Sequence, residues 1–123
     1  MSFIGTQECY IVIDLYCAEG LLAGDDDGTT DPYFKFSFQD KSQLSSCKKS
    51  TLNPIYLERV ILEGTLGQGN YILPMFVTVF NKNPIRDQTI GICYIDLQKG
   101  LNENRFTKNV QRNPKPQWFD LVI

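Results

Sequence analysis

Residues 31–38 read DPYFKFSF, and within them Phe34, Phe36 and Phe38 alternate with polar residues. Because successive side chains of a β-strand point to opposite faces, this spacing places three aromatic rings on one face and hydrophilic groups on the other. The preceding residues are rich in Asp, Gly and Thr, which is typical of a loop. The stretch therefore predicts a loop that leads into a strand with one buried face.

The same period of two recurs elsewhere in the chain. Ile11, Ile13 and Leu15 form a second alternating run. Further strands are predicted over residues 57–62, 75–80, 90–97 and 118–123, with a weaker candidate over residues 46–50. These runs make seven strands, and an eighth would have to come from residues 2–6.

Turn-forming residues separate these runs. They are concentrated in residues 20–32, 39–45, 52–54, 64–70, 81–88 and 98–116. No stretch shows a sustained period of 3.6, and only the last loop has room for a short helical turn. The pattern predicts an all-β fold, an antiparallel β-sandwich with eight strands, or at least seven.

Composition limits the functions that the chain can have. Its 123 residues suit a single domain over residues 1–123, and 42% of them are hydrophobic, which is enough to bury a core. The net charge of -2 gives no general attraction to nucleic acid. The lack of histidine removes histidine-based acid/base catalysis, Ser-His-Asp triads and histidine metal ligands. We expect a protein that is not an enzyme and does not bind nucleic acid.

The cysteines and the N-terminal sequence indicate the compartment. Cys9, Cys17, Cys47 and Cys93 show neither a CxxC pair nor zinc-ligand spacing, so we expect reduced thiols. The N-terminus lacks a basic region followed by an apolar stretch, and the longest apolar run, residues 72–80, is too short to span a bilayer. We expect a cytosolic domain, or the cytosolic part of a longer protein.

Residues 22–33 form an acidic loop between two predicted strands. Four carboxylates lie in this loop, those of Asp25, Asp26, Asp27 and Asp31. Calcium prefers carboxylate and carbonyl oxygens that a loop can bring together, so the loop is a candidate calcium site. The alternative is an ordinary solvated turn. An EF-hand is excluded because a Phe-rich strand, and not a helix, follows the loop.

Four motifs in order resemble those of C2 domains. Residues 10–22, followed by Asp25, Gly28 and residues 31–33, are similar to the family's strand, first calcium loop and following strand. Residues 51–54, TLNP, with Tyr56 and Glu58, are similar to its TLNPxWxE segment, Ile90 and Gly91 to its IG motif, and residues 118–121 to its closing W-x-x-L strand. The resemblance implies a sandwich of the C2 type with Greek-key connections.

A narrower resemblance is to the C2 domains of ferlins, which are multi-domain membrane-fusion proteins. It is carried by Phe38 and by Ser42 and Gln43 ahead of residues 51–54. If the chain is similar to ferlins in this respect, it is one module of a larger protein.

The resemblance also implies a calcium site, with departures in this chain. The first loop would supply Asp25 and Asp31, and the third loop would supply Asn81 and Asn83 at its D-x-D positions, with Gln88 or Asp87 in the last place. Because calcium affinity follows the number of charged ligands, amides in place of carboxylates imply weak or absent binding. Lys82 and Arg86 in the third loop would offer counter-charge without a metal.

Two further surfaces are candidates for membrane contact. Ile85, beside Pro84, is the insertion candidate of the third loop, and the alternative is a side chain packed back on the sandwich. A basic patch for anionic headgroups would comprise Lys35, Lys41, Lys48 and Lys49, and the alternative is ordinary solvated charge.

Two functions follow from the sequence and the resemblance. The first is a non-catalytic C2 module for peripheral binding to anionic phospholipid membranes on their cytoplasmic side, with weak or lost calcium dependence, in membrane trafficking or fusion. The second is a C2 domain that binds other protein domains and no lipid.

Overall fold

The computed structural model describes residues 7–67, 71–102 and 115–123. Its six strands are β1 (Gln7–Cys17), β2 (Pro32–Phe38), β3 (Lys41–Leu44), β4 (Ile55–Leu66), β5 (Met75–Asn81) and β6 (Gln88–Ile95). A short helix, α1 (Leu97–Asn102), follows in the last predicted loop. In these described ranges there is no helix with the length and apolar character needed to cross a bilayer.

The strands form two antiparallel sheets. One contains β1 and β4, and the other has the order β3-β2-β5-β6. An isolated bridge joins Ile92 of β6 to Val122 near the end of the chain. The all-β, antiparallel, two-sheet prediction is confirmed. The structure shows six strands over the described residues, so the count of eight is not confirmed, and residues 2–6 lie outside the described ranges.

Several predicted boundaries differ from those in the structure. Residues 46–50 form no strand, and β3 lies instead within the predicted turn over 39–45. A two-residue turn, Gln39 and Asp40, connects β2 to β3. Gln39 adopts a positive φ of 54° there, as such tight hairpins require, although neither residue is one of the usual turn formers Asn-Gly or Gly. For this reason no hairpin was predicted at this place.

Two further strands end differently from the prediction. β4 continues to Leu66, through the residues predicted to start a turn at Gly64, because Gly64 and Thr65 keep their pairing with β1. Residues 118–123 contribute only the bridge at Val122 and are otherwise irregular.

The core lies between the two sheets. The three aromatic rings of β2 are buried, as the period of two predicted, and Met75, Val77 and Val79 of β5 are buried beside them. Ile11, Ile13 and Leu15 of β1 pack against this cluster from the opposite sheet. The four cysteines are free thiols.

A β-bulge in β4 lies beside Tyr56, which is buried on the same face as Val60 and Leu62. The register with β1 shifts between the pairs Leu15 with Glu58 and Cys17 with Ile55, and Leu57 has a positive φ of 51° at that point. Tyr56 is buried, and its hydroxyl donates to the carbonyl of Pro32 at 2.6 Å. This hydrogen bond links β4 to the start of β2, where the acidic loop ends.

Candidate functional site

The first and third loops meet at one end of the sandwich. β2 begins where the first loop ends, and Pro32 of β2 pairs with Asn81, the last residue of β5. The third loop, residues 82–87, starts next to this pair, and the Lys82 N–H donates to the carbonyl of Asp31 at 2.9 Å. The antiparallel pairing of β2 with β5 therefore brings together the two loops that the sequence singled out.

Asn81 is the junction of the two loops. It is completely buried, and its Oδ1 accepts the N–H of Asp31 at 2.9 Å. Its Nδ2 donates to Oδ1 of Asp25 at 2.9 Å. When the amide of Asn83 is oriented to suit its neighbours, its nitrogen also faces Oδ1 of Asp25, at 3.3 Å. The amides of Asn81 and Asn83 thus direct N–H groups at the carboxylate of Asp25 in the first loop.

Gly24 allows the first loop to lie close against the third. A Cβ at this position would lie 2.5 Å from Nδ2 of Asn81 and 2.7 Å from Oε1 of Gln88. The Gly24 N–H donates to Oγ1 of Thr30, which is itself fully buried. No side chain larger than hydrogen fits here without moving these groups.

The tip of the first loop is an internally bonded turn. Oδ1 of Asp27 accepts the backbone N–H of Thr29 at 2.9 Å and its hydroxyl at 2.6 Å. These bonds, that from the Thr29 hydroxyl foremost, lower the pKa of Asp27. Gly28 has a positive φ of 82°, which closes the turn. Asp26 and Asp27 are exposed, so the tip presents negative charge to solvent.

Asp31 connects the first loop to the TLNP segment. Its Oδ1 accepts the N–H of Ser50 at 2.7 Å, and the Thr51 N–H donates to the carbonyl of Thr30 at 2.9 Å. The carboxylate of Asp31 is therefore engaged by the backbone of a third segment. The sequence did not reveal Ser50 as a partner, because a backbone donor leaves no trace in residue type.

The carboxylate of Asp87 accepts hydrogen bonds from residues at the same end of the four-stranded sheet. The hydroxyl of Tyr33 donates to Oδ2, and the Asn83 N–H donates to Oδ1 at 3.0 Å. The ammonium of Lys82 lies 3.8 Å from Oδ2. The hydrogen bond from Tyr33, followed by the others, lowers the pKa of Asp87. Burial, and then the neighbouring Asp87, raises the pKa of Tyr33 to about 12.

The predicted calcium ligands form hydrogen bonds within the chain in this structure. Asp25, Asp31 and Asp87 each accept hydrogen bonds from within the chain. Among the described residues, no three carboxylate, thiol or imidazole groups converge, and no buried side-chain polar atom lacks a partner. Asn81 points a donor, and not an oxygen, toward Asp25. Hard cations require several converging oxygens, so the donor set favours hydrogen bonding over coordination.

The six predicted ligands therefore have different surroundings. Asp25, Asp31, Asn81 and Asn83 lie within one hydrogen-bonded network, and Asp87 joins it through the backbone of Asn83. Gln88 is exposed at the start of β6, with Oε1 facing Gly24. Their role as calcium ligands stays a prediction.

The tip of the third loop is apolar and basic. Ile85 is 100% exposed, and Pro84 beside it is also exposed. Arg86 follows and is exposed, and the ammonium-bearing side chain of Lys82 is 63% exposed. The side chain of Ile85 does not pack back on the sandwich, which was the alternative to membrane contact.

The four lysines of the predicted basic patch do not share one face. Lys35 lies on the outer face of β2, between the buried rings of Phe34 and Phe36. Lys41 pairs with Phe38, so its side chain starts from the opposite face at the far end of the strand. The patch as predicted from sequence spacing is therefore divided between two faces.

Lys48 and Lys49 lie at the loop end of the sandwich. Lys48 is 3.8 Å from Oε2 of Glu58 and 5.5 Å from the ring centre of Tyr56, at the margin between the sheets. Lys49 is exposed. These two lysines directly precede Ser50, which contacts Asp31, and the TLNP segment, whereas Lys41 lies at the other end of β2.

Comparisons with known proteins give one family. The model of the family described as "C2 domain" matches residues 9–121. Synaptotagmin-7 of Mus musculus is 29% identical over 120 residues, which cover 90% of this chain and 30% of that protein. Synaptotagmin-6 of Mus musculus is 28% identical over 111 residues, covering 83% of this chain and 22% of that protein. The chain thus spans less than a third of these relatives.

Solved structures show the same fold. The calcium-bound pair of C2 domains of Extended-Synaptotagmin 2 superposes with a TM-score of 0.65 at 22% identity, over 76% of this chain and 36% of that one. A C2 domain of RIM from Drosophila gives a TM-score of 0.58 at 18% identity, over 72% of this chain and 75% of that one.

Proposed function

The chain belongs to the C2 domain family, and from this premise we propose that it is a non-catalytic module that docks on anionic phospholipid membranes with weak or no dependence on calcium. It would act on the cytoplasmic side of membranes, in trafficking or fusion. Since it spans less than a third of its synaptotagmin relatives, we propose further that it is one module of a larger protein.

The third loop carries this proposal. Ile85 is fully exposed at the tip, with a cation on either side in Lys82 and Arg86. An aliphatic side chain gains about 1.5–3 kcal/mol when it leaves water, and a cation near an anionic surface adds about 1 kcal/mol. The exposed carboxylates of Asp26 and Asp27 oppose this attraction, so we expect modest affinity.

Weak calcium dependence is supported by the hydrogen bonds of the loops. The carboxylate of Asp25 already accepts a hydrogen bond from the Asn81 amide, and the carboxylate of Asp87 already has a counter-charge in the ammonium of Lys82. These two carboxylates therefore need no bound ion to hold them in place as the domain approaches a membrane, although those of Asp26 and Asp27 stay exposed.

The narrower resemblance to ferlins receives no support from the relatives found. Those reported above are two synaptotagmins, an extended synaptotagmin and RIM. We therefore propose a role in membrane trafficking without assigning the chain to the ferlin group.

A second candidate function is binding of another protein domain. The outer face of the four-stranded sheet exposes Phe76, Ile92 and Tyr94, and Leu44 lies on the edge strand β3. Antiparallel sheets usually turn a polar face to solvent, so this apolar surface favours a partner.

Liposome co-sedimentation distinguishes the two functions. Vesicles of neutral lipid and vesicles that contain phosphatidylserine are compared with calcium chelated and with millimolar calcium. We expect binding to the anionic vesicles under both conditions and a loss of about tenfold in Ile85→Thr. Ile61→Thr is the matched control, because Ile61 is exposed on the other sheet, away from the loops.

Three outcomes decide the matter. Binding that Ile85→Thr weakens and Ile61→Thr does not supports membrane docking by the third loop. Binding to anionic vesicles that is present in calcium and absent in chelator contradicts the proposed calcium independence. No binding to any vesicle favours the protein-interaction function.

A further inference from the structure

We propose that the buried amide of Asn81 acts as an internal substitute for a bridging cation, so that the first and third loops stay closed with no ion bound. The inference concerns the stability of the loops and does not depend on membrane binding.

The oxygen and the nitrogen of the Asn81 amide form hydrogen bonds of opposite direction. Its oxygen accepts the N–H of Asp31 at 2.9 Å, and its nitrogen donates to the carboxylate of Asp25 at 2.9 Å. A metal ion would hold these loops through oxygens, whereas the amide holds them with one acceptor and one donor. Because aspartate at position 81 has no donor when ionised, it can replace only the first of these bonds.

The surroundings hold the amide in this one place. Asn81 has no exposed surface, and Gly24 leaves no free space between it and the first loop. Nδ2 of Asn81 would be 2.5 Å from any Cβ at position 24. A fully buried donor fixed this closely to a carboxylate forms a charge-assisted hydrogen bond, which is stronger than one between neutral groups.

Asp87 in the third loop is a second carboxylate whose hydrogen-bond donors come from the chain itself. The Tyr33 hydroxyl and the Asn83 N–H both donate to this carboxylate, and Lys82 brings a positive charge to within 3.8 Å. The third loop therefore supplies its own counter-charge. An ion that bound here would first have to displace donors that the fold already provides.

Replacement of Asn81 by aspartate should turn the attraction between the two loops into repulsion. In Asn81→Asp, two carboxylates would face each other where Nδ2 and Oδ1 of Asp25 now lie 2.9 Å apart. Like charges at that distance repel, so the loops should separate unless a cation lies between them. The variant should thus gain the dependence on calcium that the natural chain lacks.

The matched control is Asn53→Asp, which adds the same charge to a neighbouring segment. Oδ1 of Asn53 accepts the N–H of Gly20 at 2.9 Å, a bond that a carboxylate oxygen also makes. The control therefore keeps its known contact, and Asn81→Asp loses one.

Thermal unfolding is measured for the natural chain and both variants, in chelator and in millimolar calcium. We expect the Tm of the natural chain to be the same in both. We expect Asn81→Asp to lose roughly 5 to 10 °C in chelator and to recover at least half of the loss in calcium. Asn53→Asp should show no recovery. A natural chain whose Tm rises in calcium, or an Asn81→Asp variant as stable as the natural chain in chelator, would overturn the proposal.

A calorimetric calcium titration of the natural chain provides a test that needs no variant. Absence of saturable heat in the micromolar range supports the proposal, and a saturating isotherm in that range refutes it. If Asn81→Asp is too unstable to purify, Asn81→Ser takes its place. Its shorter side chain lacks the amide that reaches both Asp25 and Asp31 and adds no charge, so it should lower the Tm equally in chelator and in calcium; an unchanged Tm refutes the proposal.

Discussion

Replacement of Gly24 by alanine measures how closely the two loops are packed. The new Cβ would lie 2.5 Å from Nδ2 of Asn81, and ordinary contact begins at 3.4 Å. Relief of the clash requires Nδ2 to move by about 0.9 Å, which breaks its 2.9 Å bond to Asp25 if the movement is directed away from the first loop. Asn81 is fully buried, so it has no free space to turn into.

The cost follows from these contacts. If Asn81 moves, loss of its hydrogen bond to a charged group costs about 1.5–3 kcal/mol; if it stays, overpacking of the filled site costs about 1–3 kcal/mol, so only one of these costs applies. Asp25 is only half-buried, which reduces the first figure, and alanine stabilises by about 0.4–1 kcal/mol through the unfolded chain. We expect a net loss of about 1.5 kcal/mol, or a decrease of roughly 5 °C in Tm.

Urea unfolding followed by tryptophan and tyrosine fluorescence measures this change. Gly67→Ala is the matched control, because a Cβ at Gly67 meets nothing closer than the Tyr71 carbonyl at 3.6 Å. The control should be neutral or slightly stabilising. If Gly24→Ala is as stable as the control, the two loops are not in the close contact described above, and the reasoning fails.

Two further predictions concern tyrosines that contact the same region. Tyr56→Phe removes a buried hydrogen bond to the Pro32 carbonyl, which still accepts the Lys48 N–H at 3.0 Å. Urea unfolding should therefore show a decrease of only about 1 kcal/mol in the free energy of unfolding, and a decrease above about 3 kcal/mol would contradict this. Tyr33 has a folded pKa of about 12 and an unfolded pKa near 10, so its contribution to stability is complete below about pH 10 and is lost as the pH rises toward 12. The free energy of unfolding should therefore decrease between pH 10 and pH 12, and the decrease should be smaller in Tyr33→Phe. An equal decrease in both proteins would refute the raised pKa of Tyr33.

The sequence predicted the strands whose faces differ most in polarity. β2 and β5 each bury alternate side chains; β2 was predicted from this period, and β5 from its β-branched and aromatic residues. β3 was missed because all four of its residues are exposed, so no apolar period marks it. Its position depends on hydrogen bonds to β2, which residue types do not encode.

The sequence predicted where the candidate site lies, and it did not predict the hydrogen-bond partners of the site residues. The resemblance to C2 domains pointed to the first and third loops, which the structure brings together. The partnership of Tyr33 with Asp87 spans 54 residues and joins two strands, so neither local pattern nor composition could indicate it. The predicted basic patch assumed that nearby lysines share a face, and the register of β2 with β3 separates Lys35 from Lys41.

The pairing of β1 with β4 has a consequence for the newborn chain. Leu15 faces Glu58 and Cys9 faces Gly64, so the first strand has no partner in its sheet until roughly 50 more residues have been synthesised. At about 5–20 residues per second, a ribosome takes several seconds to supply them. During that interval the apolar side of β1 is uncovered, and a nascent-chain chaperone has its best opportunity to bind.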